Sequence, residues 1–322
     1  FVVRPLVGEG RSAYYALTYG YIPVMLLGLA GMARLAGGRN RILVYMTASY
    51  LVLIILIAIF KVRYRLLVEP MMIVFAALMA VRLVRRLYRR EHGSAPPAGE
   101  GFLATFRGDL DILGVILLAA LALRVYFALA FAPAPASAAA IAFDRIGTQA
   151  GLGHVPLPVY PLYLRLVYTV FGDGNHAAVY AIQGIAGSLV VLLLFGIAAR
   201  LFSRKAGLVA AAIAAVYPGF ILYSLTTSPD TFVILLVLSL TAVPLFRLSA
   251  ARRSALAGAL SGIGVLLNPL LLLASPGAFA AAQRKRLFAL VFLLTLAPVV
   301  AVNAVRLHRT DPVYRPALYG ID

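Results

Sequence analysis

Apolar runs of close to twenty residues recur along this sequence, separated by short polar and basic clusters, and that pattern narrows the fold more than any other feature. The runs fall at about 14–33, 42–60, 67–88, 111–132, 177–199, 206–223, 230–246, 254–282 and 287–304. A helix needs about 20 apolar residues to cross the hydrocarbon core, and it satisfies all of its backbone polar groups internally. The chain is 63% hydrophobic, with a mean hydropathy of +0.96, whereas a soluble domain is about half apolar. The sequence therefore predicts an all-α, polytopic transmembrane helical bundle of about 9–10 membrane segments, and it excludes a soluble enzyme. There is no Cys, so disulfides and thiolate metal sites are excluded as well.

The net charge of +18 does not point to nucleic acid, because the basic residues sit in clusters between apolar spans. Positive-inside topology produces that distribution. If Arg34, Arg39 and Arg41 are cytoplasmic, then Arg82, Arg85, Arg86, Arg89 and Arg90 are too. So are Arg107, Arg200, Arg204, Lys205, Arg247, Arg252 and Arg253. Arg284, Lys285 and Arg286 join them only if 254–282 crosses an even number of times, and the segment breaks at Asn268-Pro269. Two half-length helices forming a hairpin within protein meet that condition. The stretch 89–110 is polar and rich in Pro and Gly and reads as a cytoplasmic linker between two membrane units. Starting at Phe1 and ending in "LYGID", the sequence is expected to be a piece of a longer protein.

A long outer loop follows the first span of the second unit, over 133–175. Its "IAFDRIGTQAG" has helical spacing, with Ile141, Phe143 and Ile146 able to lie against the membrane. Its "PVYPLYLRLVYTVFG" places Tyr160, Tyr163, Leu164, Val167, Tyr168 and Phe171 at helical spacing, which suits an amphipathic helix in the interface.

Several polar residues are candidates for chemistry. Lys61, Arg63 and Arg65, with Tyr64 between the arginines, fall at the outer interface, where topology does not favour basic residues. They read either as lipid head-group contacts or snorkelling side chains, or as a phosphate site, since Arg grips phosphate oxygens in a fork. Asp144 in the outer loop suits a general base or a cation ligand; the bland alternative is a solvated carboxylate paired with Arg165. Arg124 inside a span reads as functional or as snorkelling outward. Asp230 follows Thr227, Ser228 and Pro229, a string that reads as a cap, a first-turn proline and a favourable N-terminal charge, or else as the rim of an active-site cavity. Asn268 at the break either satisfies freed backbone groups or points into a cavity. The four histidines are scattered, none at i, i+3 or i, i+4 from another, which argues against a histidine metal site.

The order of these strings resembles a family. From about 111 to 322 the sequence is similar to the N-terminal two-thirds of the C-type, multi-helix glycosyltransferases, in the dolichyl-phosphate-mannose protein mannosyltransferase and aminoarabinose-transferase branch. The resemblance is carried by "FDRIGTQAG", "PVYPLYLRLVYTVFG", "LFSRKAGLVAAAIAAVYPGFILYSLTTSPDTFVILLVLSL", "GIGVLLNPLLLLASPG" and "VNAVRLHRTDPVYRPALYG" in that order. "RYRLLVEP" at 63–70 resembles a late string of the same kind of enzyme, so 1–88 is expected to end an upstream module and 111–322 to begin a second one.

The resemblance implies an inverting sugar transfer from a polyprenyl-phosphate lipid to a glycan, lipid or protein acceptor. The reaction would run on the periplasmic face of the bacterial inner membrane, in a multi-pass protein among membrane lipids. An outer-loop Asp would deprotonate the acceptor and arginines would stabilise the leaving phosphate. It leaves the metal open, since some relatives use a divalent cation and others do not. The second module departs from the family pattern: no acid occurs at 137–142 before Phe143-Asp144, and Asn268 stands where an Arg often precedes the proline. Either Asp144 has taken over as base, or this module is a non-catalytic lipid-carrier-binding or scaffold unit. A transporter or flippase is the third reading, weakened by the absence of an internal inverted repeat.

Overall fold

In a computed structural model, residues 24, 26–32, 69–92, 110–135, 137–148, 159–246, 248–273 and 275–307 are described. The elements are α1 (Glu69–His92), α2 (Leu110–Phe131), α3 (Ala138–Thr148), α4 (Val159–Phe171), α5 (His176–Leu201), α6 (Arg204–Val216), α7 (Pro218–Ser224), α8 (Asp230–Ala242), α9 (Ala250–Leu267), α10 (Ser275–Ala281) and α11 (Lys285–Leu307). Short 3-10 turns at Val243–Leu245 and Pro269–Leu273 extend α8 and follow α9. The described residues are helical with no strand, as the apolar periodicity predicts. Asp111–Phe131, His176–Leu201 and Lys285–Val302 are long and apolar enough to cross a membrane. The pair α6 and α7, bent by 55°, makes a fourth span if counted as one. Of the other expected spans, 67–88 falls on the 24-residue α1, 230–246 on the shorter α8 and its 3-10 turn, and 254–282 on α9 and the short pieces after it, while 14–33 and 42–60 lie wholly or partly outside the described residues.

Two compact units can be separated. One contains Glu9–Leu123 and Ser188–Ile221, the other Arg124–Gly187 and Leu222–Asp322. In the first, α1 packs on α6, and Met72, Ile73, Val74, Phe75, Ala76 and Ala77 are fully buried. Ser203 starts α6 by accepting from the Ala206 N–H at 3.3 Å. Glu69, at the start of α1, is buried close to Gly219 and Tyr217.

In the second unit, α9 packs along α11, and Gly258 and Gly262 bring the α9 backbone against Phe288 and Thr295. Small residues at such a crossing let two helices approach closely. The chain breaks after Leu267 where the sequence indicates: Asn268 is the C-cap of α9, with extended backbone and its N–H bonded to the Gly264 carbonyl at 2.8 Å. The halves are unequal, which corrects the expected pair of half-length helices. An 18-residue α9 is followed by a five-residue 3-10 turn and the seven-residue α10. Both short pieces pack back on α9, so the hairpin forms with one long arm.

Candidate functional site

The site belongs to the second unit and begins with α3. Ser137 accepts from the Ala140 N–H at 3.1 Å and starts this helix. Phe143 turns inward, edge-on to Tyr160 with ring centroids 5.3 Å apart. Phe143 is therefore core rather than membrane-facing, whereas Ile141 is exposed. Asp144, the next residue, sits at the edge of the α3–α4 packing.

The α4 helix buries most of the stripe that its helical spacing marks, but turns it to protein. Tyr160, Pro161, Leu164, Val167 and Tyr168 are buried, and Leu162, Leu166 and Val170 form the exposed stripe, with Leu166 66% exposed. The aromatic face meets protein because each phenol finds a partner there. Tyr160 donates to Gln183 Oε1 at 3.0 Å and Tyr163 to the Val179 carbonyl at 2.9 Å. Tyr168 donates to Asp144 Oδ1. Burial, with the Asp144 carboxylate beside it, pushes the Tyr168 phenol well above its ordinary pKa.

A glycine turn then reverses the chain. Gly172 (φ +97°) and Gly174 (φ +74°) take left-handed conformations that glycine adopts without strain. The Gly172 N–H bonds back to the Tyr168 carbonyl at 2.9 Å, closing α4. Asn175 caps α5, its side chain accepting from the Ala178 N–H at 3.1 Å, so His176 is the first residue of that helix. Its Nε2 lies 2.9 Å from Asp144 Oδ1. The His176 ring stacks on Tyr180 at 6.2 Å and stands edge-on to Tyr168 at 6.3 Å. Tyr180 in turn donates to the Pro133 carbonyl at 2.7 Å and lies 3.0 Å from Thr227 Oγ1.

Asp144 thus pairs with His176 and Tyr168, not with Arg165. Arg165 donates to the Thr148 carbonyl at 3.3 Å and faces Asp173 at 3.8 Å. Both contacts to Asp144 fall on Oδ1, and among the described residues no hydrogen bond reaches Oδ2. The carboxylate and the imidazole are 23% and 19% exposed, so each reaches solvent.

Deeper in the unit, Gln183 is fully buried and donates to the carbonyls of Ser224 and Thr226 at 3.0 and 2.9 Å. It ties α4 and α5 to the segment before α8. Asp230 is buried there, accepting from the Ser228 hydroxyl at 2.8 Å. This corrects the cap expected from the sequence: Pro229 is the N-cap, without a side-chain bond, and Ser228 serves the carboxylate instead. Arg124 is fully buried and does not snorkel. Its side chain runs past Gly184 and Gly187; a methyl on Gly187 would lie 2.8 Å from both Arg124 Nε and Ser224 Oγ.

Of the residues singled out in the sequence, Asp144, Arg124, Asp230 and Asn268 are described, and only Asp144 belongs to the His176–Tyr168 cluster. Lys61, Arg63, Tyr64 and Arg65 lie outside the described residues. His176, Tyr168 and Gln183 were not singled out for chemistry. His176 has no sequence neighbour that marks it; its only signal is its place at a helix start after a Gly-rich turn.

No group of three or more His, Asp or Glu side chains able to hold a metal ion occurs among the described residues. Asp144 Oδ1 is already taken by two donors. Neither curated proteins nor solved structures give a match to the chain. Residues 154–306, however, match the family model of dolichyl-phosphate-mannose-protein mannosyltransferases, the family that the order of the sequence strings resembles.

Proposed function

We propose that the chain is part of a membrane glycosyltransferase of the mannosyltransferase type, moving a sugar from a polyprenyl-phosphate carrier to an acceptor, with Asp144 as general base. The family match supports the reaction class. The observation that carries the role of Asp144 is its geometry: two donors fix Oδ1, and Oδ2 is left to accept a proton. The acceptor oxygen would attack the anomeric carbon as its proton passes to Oδ2. The bond from that carbon to the phosphate oxygen breaks with inversion, and the lipid phosphate leaves with the electron pair. The natural setting is the periplasmic face of a bacterial inner membrane. The "KVRYR" arginines would hold the phosphate, and an upstream module would end at about 88.

A second reading has its own support. Arg124 is buried, so its guanidinium is not presented to solvent in this state. Together with Asn268 in place of an arginine, this favours a scaffold or carrier-binding module of the same fold that does not react.

The test is transfer from a panel of radiolabelled polyprenyl-phosphate sugars by membranes carrying the full-length protein. Variants would be Asp144→Ala and the double change Arg63→Ala with Arg65→Ala. Loss of transfer in Asp144→Ala, with the protein still folded, supports the base assignment. Loss only in the double arginine variant would move catalysis to the upstream module. No transfer by wild type from any donor would favour the binding reading.

A further inference from the structure

We propose that His176 is a positioning residue for the Asp144 carboxylate; this rests on the reading of Asp144 as the base. A carboxylate at a half-buried helix edge can rotate, and a base that rotates away from the acceptor loses much of its effect, since a misplacement of about 1 Å can cost about 10²-fold in rate. His176, together with Tyr168, removes that freedom. Its Nε2 holds Oδ1 at 2.9 Å, and its ring is set from two sides by Tyr180 and Tyr168. Tyr180 is itself fixed by Pro133 and Thr227, so the imidazole has a rigid support. With Oδ1 engaged, Oδ2 is the oxygen that faces away from both donors and meets the acceptor hydroxyl.

A contact that only braced the fold would be spread along the α3–α4 packing. This one is concentrated on a single oxygen of the carboxylate proposed as the base. His176 also lies within 154–306, the stretch matched by the family, whereas Asp144 precedes it. The matched segment thus supplies the support, and the loop before it supplies the base.

The experiment compares wild type, His176→Gln and His176→Ala in the full-length protein, using the donor that wild type turns over in the radiolabelled panel. Folding is checked by thermal unfolding in detergent. Glutamine places an amide N–H near the position of Nε2 and keeps the hold on Oδ1. The expected result is a fall in kcat of about 10²-fold in His176→Ala with KM little changed, and recovery of most of the rate in His176→Gln. An unchanged kcat per folded enzyme in His176→Ala, while Asp144→Ala is inactive, would overturn the inference and leave the base assignment standing. If His176→Ala does not fold, His176→Gln carries the decision: a kcat as low as that of Asp144→Ala would overturn a role confined to holding Oδ1. Absence of transfer in wild type would overturn both.

Discussion

Asp144 and His176 stand 32 positions apart in the chain, and their side chains meet at 2.9 Å. The contact is built by two helix starts and a turn: Ser137 begins α3, the Gly172–Gly174 turn reverses the chain, and Asn175 begins α5 with His176 as its first residue. Asp144→Asn separates the two roles of the carboxylate. The amide oxygen still accepts from Tyr168 and His176, but the group no longer takes up a proton. Transfer should fall by 10²-fold or more, while the thermal unfolding midpoint in detergent stays close to that of wild type. An Asp144→Asn protein that keeps its activity would remove Asp144 from the reaction.

Tyr168 is predicted to make stability depend on alkaline pH. Its phenol is raised in the folded state by burial and then by Asp144, whereas an unfolded tyrosine ionises near pH 10. A folded value above the unfolded one gives stability that is fully present below about pH 10 and is lost as pH rises toward the folded value. Tyr168→Phe has no proton to lose there. It should be less stable than wild type by about 1–2 kcal/mol at neutral pH, from the lost hydrogen bond to a charged group. The gap between the two proteins should narrow above pH 10, as read from denaturation midpoints between pH 8 and 12. A constant gap across that range would show that the Tyr168 proton is not coupled to folding.

Gln183 bonds one phenol and two backbone carbonyls from a fully buried position. Gln183→Leu keeps most of the volume and leaves all three groups to find other partners. The cost should exceed about 2 kcal/mol, because buried polar groups without partners lose about 1–3 kcal/mol each. Thermal unfolding in detergent checks this, and Tyr160→Phe should recover part of the loss in the Gln183→Leu background.

Two glycines of α5 should respond in opposite ways to the same change. At Gly187 an added methyl meets Arg124 and Ser224 at 2.8 Å. Overpacking of this kind costs about 1–3 kcal/mol. At Gly196 nothing lies within 4 Å of the added carbon, and alanine favours a helix interior by about 0.5–1 kcal/mol. Gly187→Ala should lower the unfolding midpoint and Gly196→Ala should hold or raise it. Equal effects at the two positions would count against the tight seat of Arg124.

The sequence made the helical class legible, because apolar length and periodicity act within each element. The break at Asn268 was legible for the same reason, since a proline decides it locally. The stripe of α4 was legible, since Tyr160, Leu164, Val167 and Tyr168 repeat at helical spacing and are buried, but what it meets was not, because only the partners of each phenol turn it to protein. The cap expected at Thr227 or Ser228 falls instead on Pro229, and the Ser228 hydroxyl donates to the carboxylate two residues on. Asp144 was visible as an isolated acid. Its pairing was not, because no local rule says that the end of one turn brings His176, rather than Arg165, to a given carboxylate.

The seat of Arg124 also limits how this chain can change length over time. Each inserted residue turns the rest of a helix by about 100°. One insertion in α2 before Arg124, or in α5 before Gly184, would turn the guanidinium or the two glycines out of register. Relatives should therefore differ in length at the turns and termini, while the spacing from the start of α2 to Arg124, and from His176 to Gly187, stays constant.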